Sequence, residues 1–178
     1  MSLKRVLRDI EVGRANLPKL GMHIAPLEEN LRDIHFLMPG PTETPYAGGL
    51  YHGLLRLSDD HPSRPVTLHM FTPSGRFVVS DQPVPKTSRG ICTTNTVYHE
   101  NSWTPLNTIE NVLIGFQSFM AEDPDCGIGS IKDSKEKRQK FATASLEHLK
   151  KHDPVACSMF AHVLFDDKPQ TATAKTKK

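Results

Sequence analysis

Cys92 is the residue of this sequence whose neighbours best suit it to chemistry. It follows a segment rich in Pro, Ser and Asp (Ser80-Asp81-Gln82-Pro83-Val84-Pro85) and precedes the polar run Thr93–Thr96. A cysteine without such surroundings is by default a small buried hydrophobe. Polar chain on both sides favours an accessible thiol, which as thiolate is a nucleophile. Cys126 and Cys157 are widely spaced from it, and no Cys-x-x-Cys pair occurs, so neither a disulfide framework nor a zinc site is expected and the thiols should be free in a reducing compartment. His148 and His152 have the i, i+4 spacing of a metal pair but no third ligand nearby in sequence, so they read as a solvated helix face and no metal is expected. Gly48-Gly49 and Gly127-Ile128-Gly129 lack the Lys-Ser/Thr that a phosphate cradle needs, and there is no Gly-x-Ser-x-Gly elbow.

The elements that must position the thiol follow from periodicity. Ser2 can cap a helix whose Leu3, Val6, Leu7 and Ile10 share one face, with Lys4, Arg5 and Arg8 on the other. From Gly21 the pattern changes to short strand-like runs at Met22–Ala25, Ile34–Met38, Leu50–Leu57, Val66–Phe71 and, more weakly, Phe77–Val79, which suggests an antiparallel meander. Most of the 14 prolines lie between Pro26 and Pro85, which keeps helices to the two ends. Between Arg76 and Cys92 an exposed loop is expected. Helical period returns after Trp103, with Thr104 as N-cap, Pro105 in the first turn and Leu106, Ile109, Val112, Leu113, Phe116 and Met120 along one apolar face. A lysine-rich helix from Ser134 should turn Phe141, Ala144 and Leu149 inward, and Asp153-Pro154 should start a last helix through Cys157, Phe160, Ala161 and Leu164.

Length and composition bound the rest. A chain of 178 residues is one domain, here expected over residues 1–167, with 168–178 a disordered basic tail. A net charge of +2 is too balanced for a nucleic-acid binder. A mean hydropathy of −0.42 and the lack of a long apolar run leave no membrane segment, and the start has no secretory pattern.

Several motifs, in order, resemble those of ubiquitin-conjugating enzymes. Thr42–Tyr51 reads T-E-T-P-Y-A-G-G-L-Y, close to the P-x-x-T-P-Y-x-G-G-x-F block between the family's second and third strands. Then come His61-Pro62-Ser63-Arg64-Pro65, Phe71-Thr72-Pro73-Ser74-Gly75-Arg76-Phe77, Gly90-Ile91-Cys92, Trp103-Thr104-Pro105 and the apolar helix. The sequence is most similar to the divergent branch whose members are tail-anchored in the endoplasmic reticulum and read Thr-Pro-Asn-Gly-Arg-Phe in place of the usual His-Pro-Asn. The Gly-Arg-Phe at Gly75–Phe77, the Tyr98-His99 before Trp103 and the Gly127-Ile128-Gly129-Ser130 turn support that placement.

The resemblance implies an α+β fold: a four-stranded antiparallel meander with an N-terminal helix, a central core helix and C-terminal helices. It implies that Cys92 accepts ubiquitin or a ubiquitin-like protein from an activating enzyme as a thioester and passes it to a lysine amine, with or without a ubiquitin ligase and without a cofactor. His99 would orient the lysine or take its proton, and Trp103 would anchor the loop. Lys4, Arg5 and Arg8 would meet the activating enzyme, while Pro62, Ser63, Thr104 and Pro105 stand on the two loops that ligases grip. Ser74 stands where the family has its asparagine; losing such a donor can cost about 10²–10³ in rate, and Asn95 is a candidate replacement. This departure and the longer loop before Cys92 support an alternative, a weak or inactive variant that binds ubiquitin or acts as an adaptor. The implied location is cytoplasmic, or the cytosolic face of the endoplasmic reticulum had an anchor followed.

Overall fold

In the computed structural model, which describes residues 3–122 and 127–166, the chain folds around one antiparallel sheet. Helix α1 (Leu3–Asn16) runs through a 3-10 turn into β1 (His23–Pro26), β2 (Asp33–Pro39), β3 (Leu50–Arg56) and β4 (Thr67–Met70), in the order β1-β2-β3-β4. The core helix α2 (Ile109–Ala121) and then α3 (Lys135–His152), α4 (Pro154–Met159) and α5 (Ala161–Leu164) follow. This is the expected fold class. Ser2, Cys126 and the tail 168–178 lie outside the described residues.

The period-two alternation of the strands sends Ile24, Ile34, Phe36, Met38, Tyr51, Leu55, Leu68 and Met70 into one core with Val112, Leu113, Phe116 and Met120 of α2. Each such buried side chain contributes roughly 1.5–3 kcal/mol, and this face dominates stability. Phe36 lies opposite Gly53, where a Cβ would come within 2.4 Å of the Phe36 ring, so the aromatic occupies the room a side chain would need. The other face of the sheet is covered too: Leu149, Ala156, Phe160 and Leu164 pack on Leu37, and Val84 packs on Leu54 and Phe71. The loop before Cys92 is mostly exposed, but Val84 anchors it, and Arg56 holds the carbonyls of Val84 and Pro85 at 3.1 and 2.9 Å.

Four sequence expectations shift downstream of α1. Helix α2 starts at Ile109, because the Thr108 hydroxyl accepts the Asn111 amide, while Thr104–Asn107 forms a separate turn that leaves Leu106 81% exposed. Phe77–Val79 is no strand: Phe77 and Val79 form only isolated bridges to Ser130 and Met70, on different neighbours. In α3 the inward residues are Ala142, Ser145 and Leu149, whereas Ala144 is exposed and Phe141 half-buried; Ser145 faces the sheet because its hydroxyl accepts the Leu50 amide. The last helix breaks at Phe160, separating α4 from α5.

On α1 the inward face is Val6, Asp9, Ile10 and Gly13, with Leu3 and Leu7 half-exposed. Burial of Asp9 drives this rotation, since its carboxylate takes both Arg5 Nε, at 2.8 Å, and His61 Nε2, at 3.0 Å. Arg5 also donates to the Asn107 carbonyl, so it is part of the packing and does not share an open basic face with Lys4 and Arg8.

The outer sheet face carries buried histidines. His52 Nδ1 donates to Asp153 Oδ2 at 2.5 Å, leaving its Nε2 to accept from His35 Nδ1 at 2.8 Å. Burial tends to raise the Asp153 carboxyl, but hydrogen bonds from His52, the Ala156 amide and Gln82 outweigh it and hold the group below its usual range. Burial pushes His35 down to about 4, helped by the neighbouring His52. It pushes His69 down to about 4 as well, helped by Arg56.

Because both imidazoles are held neutral when folded and return to an ordinary value near 6.5 when unfolded, the stability they confer is present above that value. It is lost as pH falls towards about 4. The urea midpoint should therefore decline across this window, and His69→Gln should flatten the decline by about one proton, roughly 1.4 kcal/mol per pH unit at its steepest. An unchanged slope in that variant would remove His69 from the acid response.

Candidate functional site

The thiol sits where three pieces of irregular chain meet beside β4. The Ile91 amide donates to the Leu68 carbonyl at 2.8 Å, continuing the edge of β4, and the Cys92 amide donates to the Ile128 carbonyl at 2.8 Å. Gly90, at φ +65°, lets the chain lie against the strand: a Cβ there would be 2.1 Å from the Leu68 oxygen. Ile91 is buried beneath, which leaves Cys92 half-exposed above it.

The 127–131 run that holds the Cys92 amide is itself fixed by Arg76. This guanidinium is fully buried, donates to Ser130 Oγ at 2.8 Å and lies 4.8 and 4.7 Å from the Phe77 and Phe119 ring centroids. The Arg76 carbonyl accepts the Ile131 amide, and the Val78 amide donates to the Gly129 carbonyl. In the sequence Arg76 stands out only as part of the Gly-Arg-Phe motif; its structural role becomes visible only when the Phe119 side of the pocket is known.

After Cys92 the chain makes a tight turn. The Thr96 hydroxyl accepts the Thr93 amide and donates to the Thr93 carbonyl, and the Val97 amide returns to the Val66 carbonyl, just ahead of β4. The His99 amide then donates to the Thr96 carbonyl, and His99 Nε2 comes to 3.2 Å from Cys92 Sγ. Nε2 can accept the thiol proton or donate to a thiolate; in either state an imidazole and a nucleophilic sulfur share one exposed point.

The other expected residues take different places. Ser74 has no exposed surface; its Oγ accepts the amides of Arg76 and Phe77 at 3.2 and 3.4 Å, so it shapes the turn that sets Arg76. Asn95 lies half-buried with its amide nitrogen over Gly115 of α2, 3.3 Å from where a Cβ would stand. Trp103 Nε1 donates to the Pro62 carbonyl at 2.8 Å, joining the Pro62-Ser63 turn to the Thr104-Pro105 turn; Ser63, Thr104 and Pro105 are exposed there. Leu106, which the periodicity put on the inner face of α2, adds a large exposed apolar group to the same edge. The second threonine, Thr108, was the signal for the later helix start. Lys4 and Arg8 are exposed on α1. His148 and His152 lie with ring centroids 5.4 Å apart, tilted at 43°, beside a cleft of about 390 Å³ with Asp81 and Gln82, and among the described residues no group of three potential ligands forms.

With this sheet, core helix and thiol loop, the chain belongs to the ubiquitin-conjugating enzyme family, whose sequence profile matches residues 5–146. It is 48% identical over 147 residues to a "probable ubiquitin-conjugating enzyme E2" of Acanthamoeba polyphaga mimivirus, covering 82% of this chain and 38% of that protein. Relatives of the J2 type are among its matches. The human ubiquitin-conjugating enzyme E2 J2 is 34% identical over 139 residues, 78% of this chain and 50% of its own, and a J2-like protein of Dictyostelium discoideum is 30% identical over 93% of this chain and 89% of its own. The chain thus spans well under two thirds of the mimivirus and human relatives. Among solved structures, the E2 domain of a Toxoplasma gondii ubiquitin-conjugating enzyme superposes with a TM-score of 0.54 at 20% identity, over 85% of this chain and 89% of that one, a likeness in fold.

Since Ser74 Oγ is the acceptor for two buried amides, Ser74→Ala should leave them unsatisfied and cost about 1–3 kcal/mol in urea unfolding at unchanged m-value. A loss within a few tenths of a kcal/mol would show that water takes its place.

Proposed function

We propose that this chain carries ubiquitin or a ubiquitin-like protein on Cys92 and delivers it to a lysine amine. The observation that carries the reading is the half-exposed Cys92 sulfur 3.2 Å from His99 Nε2, in a chain of this family. In loading, the Cys92 thiolate attacks the thioester carbonyl presented by the activating enzyme; a new C–S bond forms and the old one breaks, releasing that enzyme's thiolate. In discharge, the lysine amine attacks the same carbonyl, the C–N bond forms, the Cys92 sulfur leaves, and His99 takes the proton that the amine must lose. Thioester exchange is close to neutral in bond energy, so no cofactor is needed for loading, whereas amide formation runs downhill.

On this reading Lys4 and Arg8 offer the activating enzyme its positive contacts, while Arg5, on the Asn107 carbonyl, and Asp9, on His61, keep α1 in place. The Pro62-Ser63 and Thr104-Pro105 turns, tied by Trp103 and carrying the exposed Leu106, form the edge for a ligase. A carrier thiol at Cys92 suits the reducing cytosol. No described helix is long and apolar enough to cross a membrane. The alternative, a weak variant serving as a ubiquitin-binding adaptor, draws support from Ser74, whose buried hydroxyl supplies no side-chain amide.

Incubation with activating enzyme, ATP and ubiquitin should yield an adduct one modifier heavier that reductant removes. Cys92→Ala should abolish it, Cys157→Ala should not, and Cys92→Ser should give an oxyester that survives thiol. Failure with ubiquitin and with related modifiers, each with its own activating enzyme, would favour the adaptor. With the charged protein in hand, His99→Ala should slow discharge to lysine by about 10²-fold while slowing loading much less; equal effects on both steps would deny the imidazole a role as base.

A further inference from the structure

The sulfur and the imidazole belong to the two limbs of a single loop, and something must hold those limbs together for the contact to persist. The outgoing limb is fixed on β4 through Gly90 and Ile91, and the returning limb is fixed at Val97, whose amide reaches the Val66 carbonyl. Beyond Val97 the chain leaves the sheet edge. His99 is exposed, so packing does not set its position. Three contacts close the neck of the loop between these limbs: Arg89 Nη2 donates to the Val97 carbonyl at 2.9 Å, the Arg89 guanidinium lies 4.6 Å from the Tyr98 ring centroid, and the Tyr98 hydroxyl donates to the Gly90 carbonyl at 3.2 Å. Each contact joins a residue just before Cys92 to one just before His99.

We propose that Arg89 and Tyr98 are positioning residues that clasp the loop at its neck and so keep the His99 imidazole on the Cys92 sulfur. The proposal rests on the reading of Cys92 and His99 given above. Arg89 suits the task because its planar guanidinium covers an aromatic face and donates along its edge at once, which a lysine ammonium cannot do. Tyr98 is half-buried with its ring under the guanidinium and its hydroxyl on the opposite limb, so it couples the two sides through a short, stiff side chain. Arg89 itself is exposed, and its loss should leave the sheet and core helix untouched.

The test reads the thiol directly, in a background with Cys126→Ser and Cys157→Ser, by the pH profile of Cys92 alkylation with iodoacetamide. His99→Ala should alter that profile. Arg89→Ala and Tyr98→Phe should each move it towards the His99→Ala profile, changing the rate near neutrality by about threefold to tenfold. Arg89→Lys, which keeps a cation over the ring, should recover part of the change. Added to His99→Ala, Arg89→Ala should have no further effect. Parent-like profiles for Arg89→Ala and Tyr98→Phe, or equal effects with and without His99, would overturn the clasp while leaving Cys92 and His99 as read. A parent-like profile for His99→Ala would overturn the imidazole's role, and the clasp with it, whereas failure to load any modifier would overturn the proposed function without touching the alkylation result. Should Tyr98→Phe fold poorly by circular dichroism, the exposed Arg89→Ala decides the matter alone.

Discussion

The arrangement around the thiol depends on one buried guanidinium. Arg76 is fully enclosed between the Phe77 and Phe119 rings and donates to Ser130, and its backbone carbonyl receives the Ile131 amide. An unpaired buried cation would cost several kcal/mol, so the fold is viable only when chain from two distant segments gathers around it. That requirement brings the 127–131 run alongside 74–78, and the Cys92 amide then hangs from the Ile128 carbonyl. Ser74 belongs to the same construction, since its hydroxyl satisfies the amides that turn the chain into Arg76. The thiol is therefore held by irregular backbone whose geometry is dictated by polar satisfaction, with no regular element running through it.

The sheet beneath is buried on both faces, and the two faces are made differently. The inner face is aliphatic and aromatic and meets the core helix. The outer face holds His35, His52 and His69, ordered by Asp153 and Ser80 and covered by the C-terminal helices and the loop before Cys92. Asp153 both caps α4 and receives His52, so the start of the last helices is locked to the middle of the sheet. The long loop is anchored on that same face by Val84 and Arg56 and ends at Arg89, which grips the thiol loop. A segment whose composition suggests idle surface is thus a strap from the back of the sheet to the Cys92 loop.

Two further polar links set the far edge of the domain. Asp9, Arg5 and His61 join α1 to the turn at Pro62, and Trp103 joins that turn to the chain entering α2. The helix and both turns are thus braced against one another, and each of Leu3 and Leu7 on α1 and Leu106 on the second turn is left exposed. An apolar group left in solvent beside a rigid frame contributes little to folding, and its worth lies in what it can cover.

The fold class was legible in the sequence, because strand alternation, core-helix periodicity and the ordered motifs from Pro41 to Pro105 are local patterns that need no knowledge of their partners. The accessibility of the Cys92 thiol was legible for the same reason, through its polar flanks. The closeness of His99 to it, the inward turn of Arg5, the burial of Arg76 and Ser74 and the exposure of Leu106 were decided by tertiary structure. Each of these depends on a partner distant in sequence or on a choice between near-equal local options, such as Thr104 or Thr108 as the helix cap. A side chain's type states what bonds it can make; only the folded chain decides which groups are near enough to make them.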